Sequence, residues 1–463
     1  MNNIHKNRSH TISNFSNIFL LSLTLSGASF ADTEMPNYKE KEKLIFDGYY
    51  RGRVDIYNGV NKVAYGDAAI DAKGNIRGVS NDVIYLHQIS AGFTYTPNDE
   101  WEIKAYIYDA RSWFSDLQPE DFIKNAGTKD EYLASYYDEH LDVHEAYVQK
   151  SKFLLDNLTF TLGRQQLQYG DSRIFAPGVW GNTIGYLWDA AHFSYKQDKN
   201  FLDAWYGQTR TIDPYEFSLT NKHLYQGVGV YSHYEKSAFK IEPFFAYKDL
   251  LYDTTAPGEL SYHYGARTYD SSVGFIYDAT YTKTVGISGK NAIDAYAYVA
   301  KIGYQFDTPY KTQFTIGKLY ASGDSDSSDN VKQTYSSPFG SMTGPNYGRM
   351  DIMIWSNMKD YQSMLSFNPT KDLFIKAAFH RFELADANDK WYTFGYANKP
   401  GNSYTHIGDE YDLTMKYKAS KNLDLTAIAT YLNAGDFITK NEIAQNDATK
   451  FFLQFKYKFS TKE

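Results

Sequence analysis

Residues 451–459, FFLQFKYKF, put Phe451, Leu453, Phe455, Tyr457 and Phe459 on one phase and Phe452, Gln454, Lys456 and Lys458 on the other. Side chains of an extended strand alternate between its two faces, so this pattern predicts a strand with one greasy face and one mainly polar, basic face. The same period of two recurs at 45–56, where Phe46, Tyr50, Val54 and Ile56 oppose Asp47, Arg51, Arg53 and Asp55. At 239–248, Phe239, Ile241, Phe245 and Tyr247 oppose Lys240, Glu242 and Lys248. At 407–418, Tyr411, Leu413, Met415 and Tyr417 oppose Glu410, Asp412, Thr414, Lys416 and Lys418. At 422–431, Leu423, Leu425, Ala427, Ala429 and Tyr431 oppose Asp424, Thr426 and Thr430.

The connections alternate in length. Short ones such as TPNDE (96–100), QDKN (197–200), NPTKD (368–372) and Ser420–Lys421 interleave with long ones at 58–82, 112–139, 169–184, 322–348 and 385–406. Short turns on one side and long loops on the other predict an all-β fold, a transmembrane antiparallel up-and-down β-barrel with short periplasmic turns and long extracellular loops. Eighteen strands are predicted, running from 44–57 to 449–459 and including 158–168, 262–269, 349–367 and 373–384; omitting 262–284 leaves sixteen. A barrel this wide cannot be filled by its own wall side chains, so an aqueous lumen is expected. Loops folded inward would narrow it, with 112–139 and 322–348 as the first candidates.

Composition removes an apparent objection. Mean hydropathy is −0.53, and after the N-terminus no stretch approaches the roughly 18 apolar residues of a membrane helix. Alternation hides a barrel from any such average, while 43 tyrosines and 17% aromatic residues suit the two membrane interfaces. Residues 1–31 are predicted to be a signal peptide, with basic Lys6 and Arg8, the apolar IFLLSLTL (18–25) and the small-x-small site Ser29-Phe30-Ala31. The barrel would then occupy 32–463 as one domain. Lys6 and Arg8 leave with the leader, making the mature chain two charges more acidic than the −8 of the whole. That argues against a nucleic-acid partner. The absence of cysteine fits an exported protein that needs no disulfide.

A charged side chain on the lipid face costs about 2–4 kcal/mol near the midplane, which directs Arg51, Arg53, Lys240, Glu242, Glu410, Lys416, Lys456 and Lys458 into the lumen. Two segments break phase. Leu158, Phe160 and Leu162 would send Arg164 to lipid unless Gly163 bends the strand. In 373–384, Lys376 and His380 oppose Arg381 and Glu383, which a β-bulge would reconcile. Residues 162–180, LGRQQLQYGDSRIFAPGVW, end the strand at Gly170-Asp171. Asp171 and Arg173 then lie on one side, as an ion pair pinning a loop or as a charged constriction.

Catalytic chemistry is not indicated. His140, His144, His223, His233, His263, His380 and His406 show neither metal spacing nor a nucleophile motif. Asp324, Asp326 and Asp329 lack the Gly and Glu of a calcium loop. No enzyme activity, cofactor or metal is expected.

Several stretches, LGRQQLQYGDSRIF (162–175), ASGDSDS (321–327), TYSSPFG (334–340), GRMDIMIWSNMKDY (348–361), FHRFELADANDKWY (379–392) and IGDEYDLTMKYKASKNLDLTAIATYLNAGD (407–436), resemble the alginate-export family of outer-membrane barrels. The resemblance implies a lumen in which basic residues guide a polyuronate, with Arg164, Arg173, Arg349, Arg381 and Lys416 at matching positions. Asp171, Asp351, Glu383, Glu410 and Asp412 lie beside them, so a lumen of mixed sign is expected. The short turn at Ser420–Lys421 leaves little room for the periplasmic plug loop of the family's exporter.

The expected function is an outer-membrane channel for passive diffusion of hydrophilic or charged solutes. Its expected pore lining comprises Arg51, Arg53, Arg164, Asp171, Arg173, Lys240, Glu242, Arg349, Asp351, Arg381, Glu383, Glu410, Asp412 and Lys416. The alternatives are an exporter of an anionic polysaccharide such as alginate, or a surface adhesin or receptor anchored by the barrel. Expected partners are outer-membrane lipid, a hydrophilic or anionic solute or polysaccharide, the outer-membrane assembly machinery and, for an exporter, periplasmic export proteins.

Overall fold

The structure, a computed structural model, describes residues 42–66, 69–70, 76–78, 80–117, 121, 137–178, 181–210, 217, 223–236, 239–250, 258–272, 274–340 and 343–462. The expected leader, 1–31, and most of the loop 112–139 lie outside the described residues.

Eighteen long strands form the wall: β1 (Lys43–Asn58), β2 (Asp82–Asn98), β3 (Trp101–Trp113), β4 (Glu139–Lys150), β5 (Leu158–Gln165), β6 (Trp188–Gln197), β7 (Asn200–Arg210), β8 (His223–Lys236) and β9 (Phe239–Leu250), then β10 (Glu259–Ser272), β11 (Phe275–Ser288), β12 (Asn291–Gln305), β13 (Gln313–Ala321), β14 (Met358–Thr370), β15 (Leu373–Leu384), β16 (His406–Lys418), β17 (Leu423–Ala434) and β18 (Ala448–Ser460). Each pairs antiparallel with the next, and β18 closes on β1 with Tyr50 opposite Tyr457 and Val54 opposite Leu453. The count of eighteen therefore stands, and the segment around 262–269 is a full strand.

The alternation read from the sequence sets which way each face points. Phe451, Leu453, Phe455, Tyr457 and Phe459 are exposed on the outside of β18, while Lys458 on the other phase meets Asp424 at 2.6 Å. Leu365, Tyr411, Leu413, Met415 and Tyr431 continue the outward band on β14, β16 and β17. Closure leaves no unpaired edge, which a bilayer requires because its core offers no water to a bare N–H or C=O.

Two expected strands are shorter than predicted. The strand expected over 158–168 ends at Gln165, and the described residues of 166–187 turn into the barrel. The strand expected over 349–367 begins only at Met358. In 349–357, Met350, Ile352, Met353 and Trp355 are all buried, and Ile352 and Met353 are adjacent. A half-buried strand cannot bury two adjacent side chains, but a loop packed inside the barrel can. Asp351 and Asn357 also have positive φ, +66° and +44°, which breaks an extended chain.

Buried parts of the loops 166–187 and 322–357 meet inside the barrel. Phe175 bridges Phe339 in parallel, and the Ala176 N–H donates to the Phe339 carbonyl at 3.2 Å. Phe175 lies 5.0 Å from Trp205, Tyr169 stacks 5.2 Å from Trp205, and Phe339 lies 4.6 Å from Trp188. The lumen is thus not simply aqueous as expected. An apolar core crosses part of it, each buried aromatic contributing on the order of 1.5–3 kcal/mol.

The two faces respond differently to charge. Leu453→Lys, on the lipid face, is expected to cost about 2–4 kcal/mol, and Gln454→Lys, one residue on, well under half of that. Urea unfolding of the heat-modifiable band measures both; equal costs would contradict the assigned facing of β18.

Candidate functional site: a lumen divided by two inward loops

A loop buried in the lumen needs partners for its peptide groups, and wall side chains supply them. Arg51 donates to the Asn182 carbonyl and side chain at 3.3 and 2.7 Å, and Arg53 to the Gly181 carbonyl at 2.7 Å. The Asn182 amide reaches the carbonyls of His87, Arg111 and Tyr137 at 2.8–3.1 Å. These contacts hold the loop 166–187. On the other loop, Glu410 accepts the Met350 N–H at 2.9 Å and Asp412 the Arg349 N–H at 3.0 Å. Gln362 donates to the Asn346 carbonyl at 2.9 Å, and Lys450 to the Arg349 carbonyl at 3.1 Å. Gly348, at φ +90°, permits this approach, because a Cβ there would sit 2.5 Å from the Glu410 carboxylate.

The opening phase breaks resolve differently from one another. Gly163 takes φ +127°, and a Cβ on it would meet the Ala146 carbonyl at 2.3 Å. Past this bend Arg164 is only 4% exposed. It does not reach the constriction, however. It lies in register with Asp189 of β6 and binds it through two bonds of 2.8 and 2.9 Å, fastening β5 to β6 within the wall. Asp171 and Arg173 form an ion pair inside a larger network. Arg267 lies 3.4 Å from Asp171 and 2.9 Å from Asp278, and Arg173 lies 3.8 Å from Asp278. Glu242 joins it, 3.4 Å from Arg267, and accepts the Tyr231 hydroxyl at 2.7 Å. Lys240 lies apart, 3.2 Å from Asp270.

Arg381 and Glu383 were expected to line the pore, and they point outward instead. A register shift does occur where β15 meets β16, with Ile407 as the extra residue, but it lies between Phe382 and Glu383, beyond Arg381. Arg381 therefore stays on the phase of Phe379, in register with outward Tyr361. His380 is the inward member, 3.0 Å from Asp360 and 3.8 Å from Asp412.

A further buried cluster was missed in the sequence. Arg210 binds Glu139 through both guanidinium nitrogens and lies 3.2 Å from Asp142. It also donates to the Tyr108 hydroxyl at 2.6 Å. Glu139 and Asp142 are three residues apart and would face opposite ways in a regular strand. A register shift between β3 and β4 at Tyr108/Ala110, opposite Asp142 and Glu139, brings them to one side.

Arg53, Arg349, Asp351 and Lys416 converge on one cavity of about 590 Å³. It extends from loop residues Thr343–Asp351 to the short turn containing Lys371 and Asp372. Its wall carries eight cations, Arg53, Lys62, Arg349, Lys371, Lys416, Lys418, Lys450 and Lys456, against three carboxylates, Asp351, Asp372 and Asp424. Asp351 is already engaged by Lys62 and Thr343, and Asp424 by Lys458. Among the described residues no carboxylate lies within 4 Å of the side-chain nitrogens of Arg349, Lys371, Lys416 or Lys418. Lys450 and Lys456 could be read from the inward phase of β18. Lys62 lies in the first long loop, where no periodicity marks it.

A closed barrel with an outward apolar band, short turns at one end and loops packed into its lumen defines an outer-membrane β-barrel of the porin type. The sequence profile for alginate export matches residues 80–451, and the chain belongs to the alginate-export family of the outer membrane. No curated protein sequence matches it. Among solved structures it is similar to Acinetobacter baumannii OccAB2, at 11% identity and TM-score 0.59 over 90% of this chain and 98% of that one. It is also similar to Pseudomonas aeruginosa OpdK, at 11% identity and TM-score 0.55 over 90% and 99%. These likenesses are of fold.

Removing Arg210 strands Glu139 and Asp142 in the wall, and Arg210→Ala is expected to cost about 3–5 kcal/mol. The triple change with Glu139→Gln and Asp142→Asn should recover part of that loss in urea unfolding. A second expectation concerns pH. Burial alone would raise the Asp351 carboxyl, but Lys62 and Lys450 beside it, with hydrogen bonds from Lys62 and Thr343, hold it below the ordinary aspartate value of about 3.9. The stabilisation is then fully present above the unfolded value and lost as pH falls through the lower folded one. Hydrogen exchange across 343–357, corrected for its intrinsic pH dependence, should stay slow down to about pH 5 and accelerate only below about pH 4. Acceleration already near pH 6 would show that another group holds the loop.

Proposed function

We propose that the protein is a channel for passive diffusion of hydrophilic solutes, with a preference for small anions. The basic cavity beneath the inward loop carries this reading. The sequence mixes signs along the inward phases, but the fold separates them. Glu410 and Asp412 point at loop peptide groups, and Asp171 and Glu242 sit in the Arg173–Arg267 network. The cations Arg349, Lys371, Lys416 and Lys418 are left facing the cavity. A water-filled passage lined by one sign raises the local concentration of the opposite ion, by roughly 10- to 1,000-fold in focused clefts. Selection then follows from size and from the field of the lining residues.

The inward loops favour small solutes over a polymer, because an apolar core joins them across part of the lumen. An exporter of an anionic polysaccharide would be the polymer version of the same path. Residues 1–31 are proposed to be removed as a signal peptide.

Purified protein in a planar bilayer tests the reading. Ohmic steps and a reversal potential favouring chloride in a potassium chloride gradient are expected. The double variant Arg349→Ala, Lys416→Ala should lower the anion-to-cation permeability ratio by about tenfold. Persistent silence of folded, heat-modifiable protein would instead favour a surface anchor or receptor.

A further inference from the structure

The lipid-facing wall holds a group of cations for which the chain supplies few counter-charges. Tyr361 on β14 lies in register with Lys318 on β13 and with Arg381 on β15. Neighbouring strands lie about 4.8 Å apart, so the two cations flank the tyrosine on the same face, roughly 10 Å from one another. Lys359 stands two residues from Tyr361 on that face, opposite Tyr320 on one side and Glu383 on the other. It is therefore a diagonal neighbour of both Lys318 and Arg381. The Lys318 ammonium lies 5.3 Å from the centre of the Tyr361 ring.

The height of this group on the wall is set by its neighbours. Phe314, Ile316 and Leu365 are exposed on the same outward phase, on the side of the short turns. Lys318 lies three residues before the end of β13, Lys359 one residue into β14, and Arg381 three residues before the end of β15. The three cations thus mark the extracellular boundary of the apolar band, where tyrosines and lipid headgroups meet.

Two other outward cations are matched by acids of the chain. Arg111 binds Asp109 through bonds of 2.8 and 2.9 Å, and Lys283 is paired with Asp294. In the Tyr361 group the acids are Glu383 and Asp409, 3.9 and 3.7 Å from Arg381. Both distances exceed hydrogen-bond length, and Asp409 is shared with His406 at 3.3 Å. Among the described residues no carboxylate lies within 4 Å of Lys318 or Lys359.

We propose that Lys318, Lys359 and Arg381 form a docking site for the phosphorylated headgroup of an outer-leaflet lipid. A phosphate between two of these side chains accepts charge-assisted hydrogen bonds from both. The acyl chains then run down the apolar wall past Phe314, Ile316 and Leu365, which a soluble phosphate would not use. A surface basic cluster at headgroup height recognises anionic lipid in this way.

Native mass spectrometry of the detergent-purified protein with added diphosphoryl lipid A, or with the same lipid after dephosphorylation, tests the site. Wild type should retain the diphosphoryl lipid at least tenfold better than the dephosphorylated one. The variant Lys318→Gln, Lys359→Gln, Arg381→Gln should lose that preference while keeping its heat-modifiable band, and Arg111→Gln should keep it. Equal retention of the two lipids by wild type, an unchanged preference in the triple variant, or an equal loss in Arg111→Gln would overturn the proposal. Competition by millimolar inorganic phosphate as effective as that by the lipid would also overturn it, since the acyl contacts would then contribute nothing.

Discussion

A loop carried into a barrel takes its peptide groups out of bulk water, and every buried N–H and C=O must then find a partner. The arrangement of this lumen follows from that constraint. Arg51 and Arg53 are committed to carbonyls of the loop 166–187, and Glu410 and Asp412 to N–H groups of the loop 322–357. Both loops lie where the wall offers groups of the matching polarity. Once anchored, they bury Phe175 and Phe339 against Trp205 and Trp188, so polar anchoring and apolar packing support the same position.

Function follows from what this commitment leaves over. Acids engaged in loop N–H groups or in arginine networks, Glu410, Asp412, Asp171 and Glu242, do not line the cavity. The residues facing the cavity are then mainly cations, although the chain as a whole carries a formal charge of −8. A wall of mixed composition can therefore present one sign where the solute would travel. The same principle works outside the barrel, where Arg111 is satisfied by Asp109 and the cations around Tyr361 largely are not.

The architecture was legible because a barrel wall obeys a period of two. Lipid on one side and water or polar groups on the other force alternation on every strand, so the facing of Arg51, Glu242, Glu410 and Lys456 could be read directly. Loop lengths revealed the topology for a similar reason, since only short turns suit one end. The bend at Gly163 could also be suspected, because an arginine would otherwise have faced lipid.

Periodicity carries no information about long-range pairing. Nothing local distinguishes Asp189 from any other carboxylate as the partner of Arg164, and nothing in Lys62 points to Asp351, 289 residues away. Residues 349–357 resemble a strand by composition, but their apolar side chains serve the interior of a barrel and not its wall. Arg381 faces lipid because the register shift near it lies beyond it, between Phe382 and Glu383. Alternation settled the wall and its two faces, since each strand meets the same two solvents along its length. The contents of the lumen were settled only by closure, which brought residues hundreds of positions apart within hydrogen-bonding distance.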